Sequence, residues 1–162
     1  MVILYILLIV LCYTLLTRIL SYYLLKNNIM NGVRWDLNIC CGKVDGGGIN
    51  ADIYQHKDLP RFKLIDDIYR LPFGDKQFRR VLCSHTIEHV DDPEAFYREL
   101  CRVGEEVTIV IPPLYDIFAV LNILEHKWIF LSFRKKHHKL PPFVPLPLSA
   151  PVQRKFGQRN KA

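Results

Sequence analysis

The sequence predicts an α/β protein: a layered, mostly parallel sheet of about five strands, with a transmembrane helix ahead of it. Three observations predict this. The first 25 residues are apolar and almost uncharged. Short β-branched runs then alternate with Gly, Asp and Pro turn signals, as strands interleaved with helices and loops do. One run, Val107 to Ile111 (VTIVI), has no polar alternation beyond Thr108, which suits a strand buried on both faces of a parallel sheet.

Composition narrows the class. Of 162 residues, 50% are hydrophobic and 23% charged, which excludes a disordered or collagen-like chain and fits one domain. All sixteen Asp and Glu lie between positions 26 and 125, while positions 126 to 162 hold nine Lys or Arg and no acid. The net charge of +6 therefore belongs to the tail and does not mark the fold as a nucleic-acid binder, so no nucleic-acid partner is expected. Five cysteines (Cys12, Cys40, Cys41, Cys83, Cys101) without a C-x-x-C pair indicate reduced thiols rather than a disulfide framework or a structural zinc site.

The elements follow in order. Val2 to Leu25 carries only Arg18, and as a helix it would be about 36 Å long, enough to cross an apolar core of about 30 Å. Arg18 would snorkel to a headgroup. Lys26 and Arg34 follow the run, which places the domain on the cytoplasmic side of a single-pass anchor, positions 1–26. The competing reading is a first helix packed on the domain, disfavoured because polar residues are few. WDLNIC (35–40), INADIY (49–54), Phe62 to Ile65 and RVLCS (80–84) read as strands that end in Gly, Asp or Ser. Asp92 and Pro93 are an N-cap and first helical residue, with a helix running to Gly104. Tyr115 to Phe133 reads as a second long helix, and five of the ten prolines lie between Pro141 and Pro151. The domain is expected over 33–133, followed by a basic, Pro-rich tail over 134–162.

In such folds ligands bind beyond the carboxyl ends of the strands, and Cys41, Gly42, Asp52, Asp67, Ser84 and His85 all stand at those ends. Taken in order, LNICCG (37–42), INADI (49–53), DIYRLPFGDKQF (67–78), VLCSHTIEHVDDPEAFYREL (81–100) and VTIVIPP (107–113) resemble the class I S-adenosylmethionine-dependent methyltransferases of the small-molecule type. The resemblance implies a Rossmann-like three-layer fold and S-adenosyl-L-methionine as cofactor. It implies that Cys41 and Gly42 contact the methionine part or the ribose, that Asp52 takes the ribose hydroxyls with Ile53 beside it as a cofactor-binding residue, and that Asp67 accepts from the adenine amino group while Ile68 packs on the ring. Ser84 and His85 would lie near the methyl group, with His85 the candidate proton acceptor. Tyr115 would face the acceptor. The sequence departs from the family pattern at Cys40, where Gly is usual. After Pro113 the resemblance implies two more strands, and the prolines argue against a central strand there, so the family fold is expected to be truncated at about five strands.

The methyl acceptor is left open between a small molecule and a lipid, as is the oligomeric state. Two other functions compete. One is a membrane-tethered, non-catalytic binding module of the same fold. The other is a zinc hydrolase: His85-Thr-Ile-Glu88-His89 matches H-x-x-E-H, which needs both histidines on one helical face, Glu99 or Glu105 as third ligand and Glu88 as base.

Overall fold

The structure is a computed structural model and describes residues 1–157. It opens with one helix, Val2–Asn31, long and apolar enough to cross a bilayer. The helix comprises α1 (Val2–Arg18), a wider π-helical stretch (Ile19–Lys26) and α2 (Asn27–Asn31). Most of its side chains are exposed. Thr17, Ser21 and Met30 are buried and Thr14 and Leu25 half-buried, so one stripe at helical spacing packs on the domain. Small hydroxyl side chains let the backbones approach closely there. Tyr13 Oη donates to the Tyr115 carbonyl (2.7 Å), and Trp35 Nε1 to that of Met30 (3.1 Å). The helix is therefore packed along one face and exposed along the others.

The domain follows as β1 (Leu37–Ile39), β2 (Ile49–Asp52), β3 (Phe62–Leu64), β4 (Phe78–Ser84), α3 (Pro93–Val103), β5 (Gly104–Val110), α4 (Ile117–Val120), β6 (Trp128–Phe130), β7 (Lys136–His137), β8 (Phe143–Pro145) and α5 (Ser149–Phe156). The main sheet has the order β3-β2-β1-β4-β5-β7; all its pairings are parallel except β5 with β7. The order reverses between β1 and β4, a topological switch point. Leu37, Ile39, Val81 and Ile109 are fully buried under α3, whose Phe96, Leu100 and Val103 recur at helical spacing. Asp92 caps α3 by accepting the Ala95 N–H (2.9 Å), with Pro93 in the first turn. Gly104 turns the chain from helix to strand in one residue, where a Cβ would meet Val81 Cγ2 at 2.5 Å.

Two expectations are corrected, at positions 115–133 and 134–157. Positions 115–133 are not one long helix. Only Ile117–Val120 is helical, and Trp128–Phe130 pairs antiparallel with Phe143–Pro145. The aromatic contacts Trp128–Phe143 and Phe130–Phe143, with ring centroids 5.2 and 5.4 Å apart, outweigh local helix preference. The mostly parallel sheet of about five strands is present as β1 to β5, with the short β7 added at its edge. The added β7 precedes the prolines and is a two-residue edge strand carrying the exposed Lys136, a charge of the kind that guards sheet edges. Positions 134–157 are not a free tail: they supply β7, β8 and α5, and bury Lys135, Leu146 and Ser149. The basic cluster at 153–161 runs beyond the described residues.

Candidate functional site

At the switch point the ends of β1, β2 and β4 surround a cavity of about 390 Å³, within the size range of small-molecule sites. Its wall under β1 and β2 is built locally. After β1 the chain turns through Cys40, Cys41 and Gly42, where the Cys41 N–H donates to the Ala51 carbonyl (3.2 Å). Gly42 has φ +56°, and a Cβ there would meet nothing within 4 Å, so the backbone itself lines open space. Its N–H donates to Asp52 Oδ2 (2.8 Å), and the Ile53 N–H donates to Oδ1 (2.8 Å). Each carboxylate oxygen thus takes one backbone proton and keeps acceptor capacity toward the cavity. Burial pushes the Cys41 thiol up to about 12 and raises Cys40 too, so both stay protonated and inert at neutral pH. Cys40 (φ 50°) and His85 (φ 55°) hold left-handed backbone conformations that cost on the order of 1–3 kcal/mol each and cluster at functional sites.

The wall under β4 is built from distant parts of the chain. Ser84 Oγ is buried and lacks a hydrogen-bond partner among the described residues. His85 Nδ1 lies 3.1 Å from Glu88 Oε1, and Lys135 Nζ lies 2.9 Å from His85 Nε2 and 3.0 Å from Ser21 Oγ. Burial pushes His85 down to about 4 and Lys135 down to about 8. Burial alone would raise Glu88; the hydrogen bond from His85, with the His85, His89 and His126 charges, outweighs it and holds the carboxyl at about 2. At neutral pH the chain of bonds is therefore assigned as a Lys135 ammonium donating to neutral His85, whose Nδ1–H donates to the Glu88 carboxylate. A second pocket of about 140 Å³ shares Tyr22 and His85 with the first and is lined also by Arg18, Asp116, Phe118, His126 and Lys135.

Of the residues singled out in the sequence, Cys41, Gly42, Asp52, Ser84 and His85 line the main cavity. Ile53, Asp67 and Ile68 are not among its lining residues. Ile53 packs against the core and Ile68 is buried within it. Asp67 is exposed, its Oδ1 accepting the Tyr69 N–H (2.8 Å) in a local turn. The two acids expected at opposite ends of one nucleoside do not share this cavity. Nor do the zinc-hydrolase residues assemble as expected. Residues 85–91 form a turn rather than a helix, Glu99 is held by Arg102 and by the Leu71 N–H, and Glu105 is exposed. Arg18 lines the second pocket beside Asp116. Sequence reasoning missed Ser21, Tyr22, Lys26 and Lys135. The spacing of Thr14, Thr17 and Ser21 marks the domain-facing stripe of the first helix, whereas nothing local marks Lys135.

Residues 50–109 match the family described as a methyltransferase domain. No curated protein matches the sequence. Among solved structures, the [4+2]-cyclase SpnF aligns at 15% identity and TM-score 0.38, over 46% of this chain and 37% of its own. A SAM-dependent methyltransferase from Aquifex aeolicus aligns at 13% identity and TM-score 0.41, over 57% of this chain and 66% of its own. The PH0226 protein from Pyrococcus horikoshii OT3 aligns at 17% identity and TM-score 0.45, over 86% and 80%. This chain thus spans about one third to two thirds of the length of the first two. The stretch that matches the methyltransferase-domain model thus runs from β2 to β5 of a sheet reversed at β1 and β4, beside the switch-point cavity.

Proposed function

We propose that this protein is a membrane-anchored methyltransferase that binds S-adenosylmethionine in the main cavity and its acceptor in the adjoining pocket. The cavity fits the cofactor by its donors and acceptors. Asp52 offers acceptor lone pairs to a ribose diol, Gly42 leaves backbone open to close approach, and the Ser84 hydroxyl is buried without a protein partner. Cys41 lines the same wall. Ile53, Asp67 and Ile68 have no part in this reading, because none lines the cavity.

S-adenosylmethionine supplies a methyl group on a sulfonium, an electrophile that needs no further activation. The protein's task is then alignment and exclusion of water. His85 stands where the two pockets meet, with both ring nitrogens engaged. It orients the site at neutral pH, and proton uptake by the network begins at Lys135, above about pH 8. An acceptor that needs no proton removed reacts at neutral pH, while a hydroxyl acceptor reacts faster as pH rises through that value.

The observation that carries the membrane side of the reading is Tyr22. It belongs to the apolar N-terminal helix and lines both pockets. Beside the helix, tied to it by the Tyr13–Tyr115 hydrogen bond, α4 exposes Ile117 and Phe118, with Leu121 next to them. Helix and α4 together present one apolar face to lipid, and Arg18 and Phe118 open the second pocket onto it. Lys26 and Arg34 keep the domain on the cytoplasmic side. The acceptor is a lipid or lipid-linked molecule that enters from the bilayer.

The test uses the full chain in bilayers of total lipid extract with methyl-labelled S-adenosylmethionine. Label transferred to the lipid fraction is expected. Label appearing only in water-soluble acceptors from a cell extract would remove the lipid reading. Binding of the cofactor without turnover on either fraction would favour the non-catalytic module, which the lysine occupying His85 Nε2 already supports.

A further inference from the structure

Behind the cofactor wall, Glu88, His89 and His126 converge. One ligand atom from each lies within 4.8 Å of the others. Glu88 and His126 are buried and His89 half-buried. The arrangement is not the H-x-x-E-H reading of the sequence, since His85 faces the cofactor cavity and His126 comes from the turn before β6. We propose that these three residues bind a divalent transition metal, with zinc the ion their chemistry suits.

Four observations carry the site. Glu88 Oε2 is buried and has no partner among the described residues. A buried orphan carboxylate oxygen is costly unless a proton, a water or a cation meets it. The other oxygen, Oε1, is held by His85 (3.1 Å), which fixes the carboxylate for single-oxygen ligation. One histidine makes the outer-shell bond that ligating imidazoles make: His89 Nδ1 lies 3.0 Å from the Glu125 carbonyl oxygen. A void of about 10 Å³, room for roughly one small occupant, lies against Glu88 and His126, with Pro112, Val120 and Trp128 rather than His89 among its other walls.

Two histidines and a carboxylate are a recognised zinc donor set that leaves a fourth position open. Zinc bonds of about 2.1 Å bring tetrahedral ligand atoms to about 3.4 Å apart, so the three side chains close by on the order of 1 Å. The bound ion would pin the turn after β4 to the turn before β6, two segments joined already by the Lys127 N–H to Glu88 carbonyl bond (2.8 Å). His89 lines the cofactor cavity and His126 the second pocket, so the ion would hold both in register. This inference is independent of methyl transfer.

The test takes the full chain in detergent, strips it with a chelator, and titrates zinc against a competing chromophoric chelator. One zinc per chain is expected. His126→Ala should weaken it beyond the roughly 10–100-fold that loss of an outer-shell partner costs. His138→Ala, a control at an exposed histidine outside the cluster, should bind as the wild type does. Cobalt(II) in place of zinc should give a tetrahedral ligand-field spectrum without thiolate charge-transfer absorption, a readout on the wild type that stands even if His126→Ala misfolds. No stoichiometric zinc on folded wild-type protein would overturn the proposal and leave a buried water on Glu88. So would unchanged affinity in folded His126→Ala, or a thiolate band that moves the metal to the cysteines.

Discussion

The two walls of the switch-point cavity are built in different ways, one from near neighbours in the sequence and one from distant parts of the chain. Under β1 and β2, Gly42 and Asp52 sit ten positions apart, join through one short hydrogen bond, and leave acceptor capacity facing open space. Under β4, His85 has both ring nitrogens satisfied by Glu88 and by Lys135, fifty positions away. On the first wall each Asp52 oxygen takes one backbone proton and keeps spare acceptor capacity; on the second both His85 ring nitrogens are engaged, while Ser84 Oγ has no partner among the described residues. The contrast separates polar groups positioned by near neighbours and open to the cavity from a histidine locked by residues three and fifty positions away. A first-wall change should therefore cost ligand affinity, and a second-wall change should cost stability and alter pH dependence.

The largest expected effect is Asp52→Ala. Losing charge-assisted bonds to a diol, at about 1.5–3 kcal/mol each, should weaken binding of S-adenosylhomocysteine by on the order of 100-fold. Asp67→Ala should change it less than about twofold. Equal losses in the two variants, measured by calorimetry, would erase the distinction between the cavity and the exposed turn at Asp67.

The second wall predicts a pH effect of similar size. Burial holds His85 at about 4, below its ordinary 6.5, so between those values the unfolded chain binds more protons than the folded one. Stability from this group is complete above about pH 6.5 and falls as pH drops toward 4, by on the order of 3 kcal/mol. Burial lowers His126 in the same direction. Glu88, held at about 2, contributes stability that is complete above 4.5, so its own loss begins only at lower pH. Melting temperatures of the full chain in detergent from pH 7 to 4.5 should fall, and His85→Asn should flatten the slope. An unchanged slope in that variant would place the titration elsewhere.

Gly42→Val adds a β-branched side chain at φ +56° and should cost about 1–2 kcal/mol of stability, as well as cofactor affinity. Retained affinity would show that the Gly42 backbone does not meet the ligand. The smallest effect belongs to Ser21→Ala, which removes one bond to Lys135 and should cost about 1 kcal/mol with cofactor affinity unchanged. A lost cofactor site in that variant would make the Ser21–Lys135 bond part of cofactor recognition rather than support for the wall.

The legible and illegible parts of the molecule follow the same division. The strand ends, the Asp92–Pro93 helix start and the positions of Gly42, Asp52 and Ser84 are readable because each depends on neighbours within a few residues. Positions 115–133 misread as helix because apolar periodicity does not distinguish a buried helix from a turn followed by a strand, and the partner that decides it, Phe143–Pro145, lies in a stretch that composition alone marks as tail. Lys135 is illegible for the same reason. It looks like one charge in a basic run, and only the sheet pairing of β7 with β5 brings it under His85. Asp67 misleads in the opposite sense: an acid after an apolar run marks a strand end, but its carboxylate serves the turn it stands in.

In the proposed function the cavity at the β1–β4 switch point holds the nucleoside through Asp52. Isothermal titration of the full chain in detergent with S-adenosylhomocysteine, beside Asp52→Ala and Asp67→Ala, tests it most directly. One site per chain is expected, weakened by on the order of 100-fold in Asp52→Ala and kept in Asp67→Ala. Undiminished binding in Asp52→Ala, or no binding to folded wild-type protein, would contradict it.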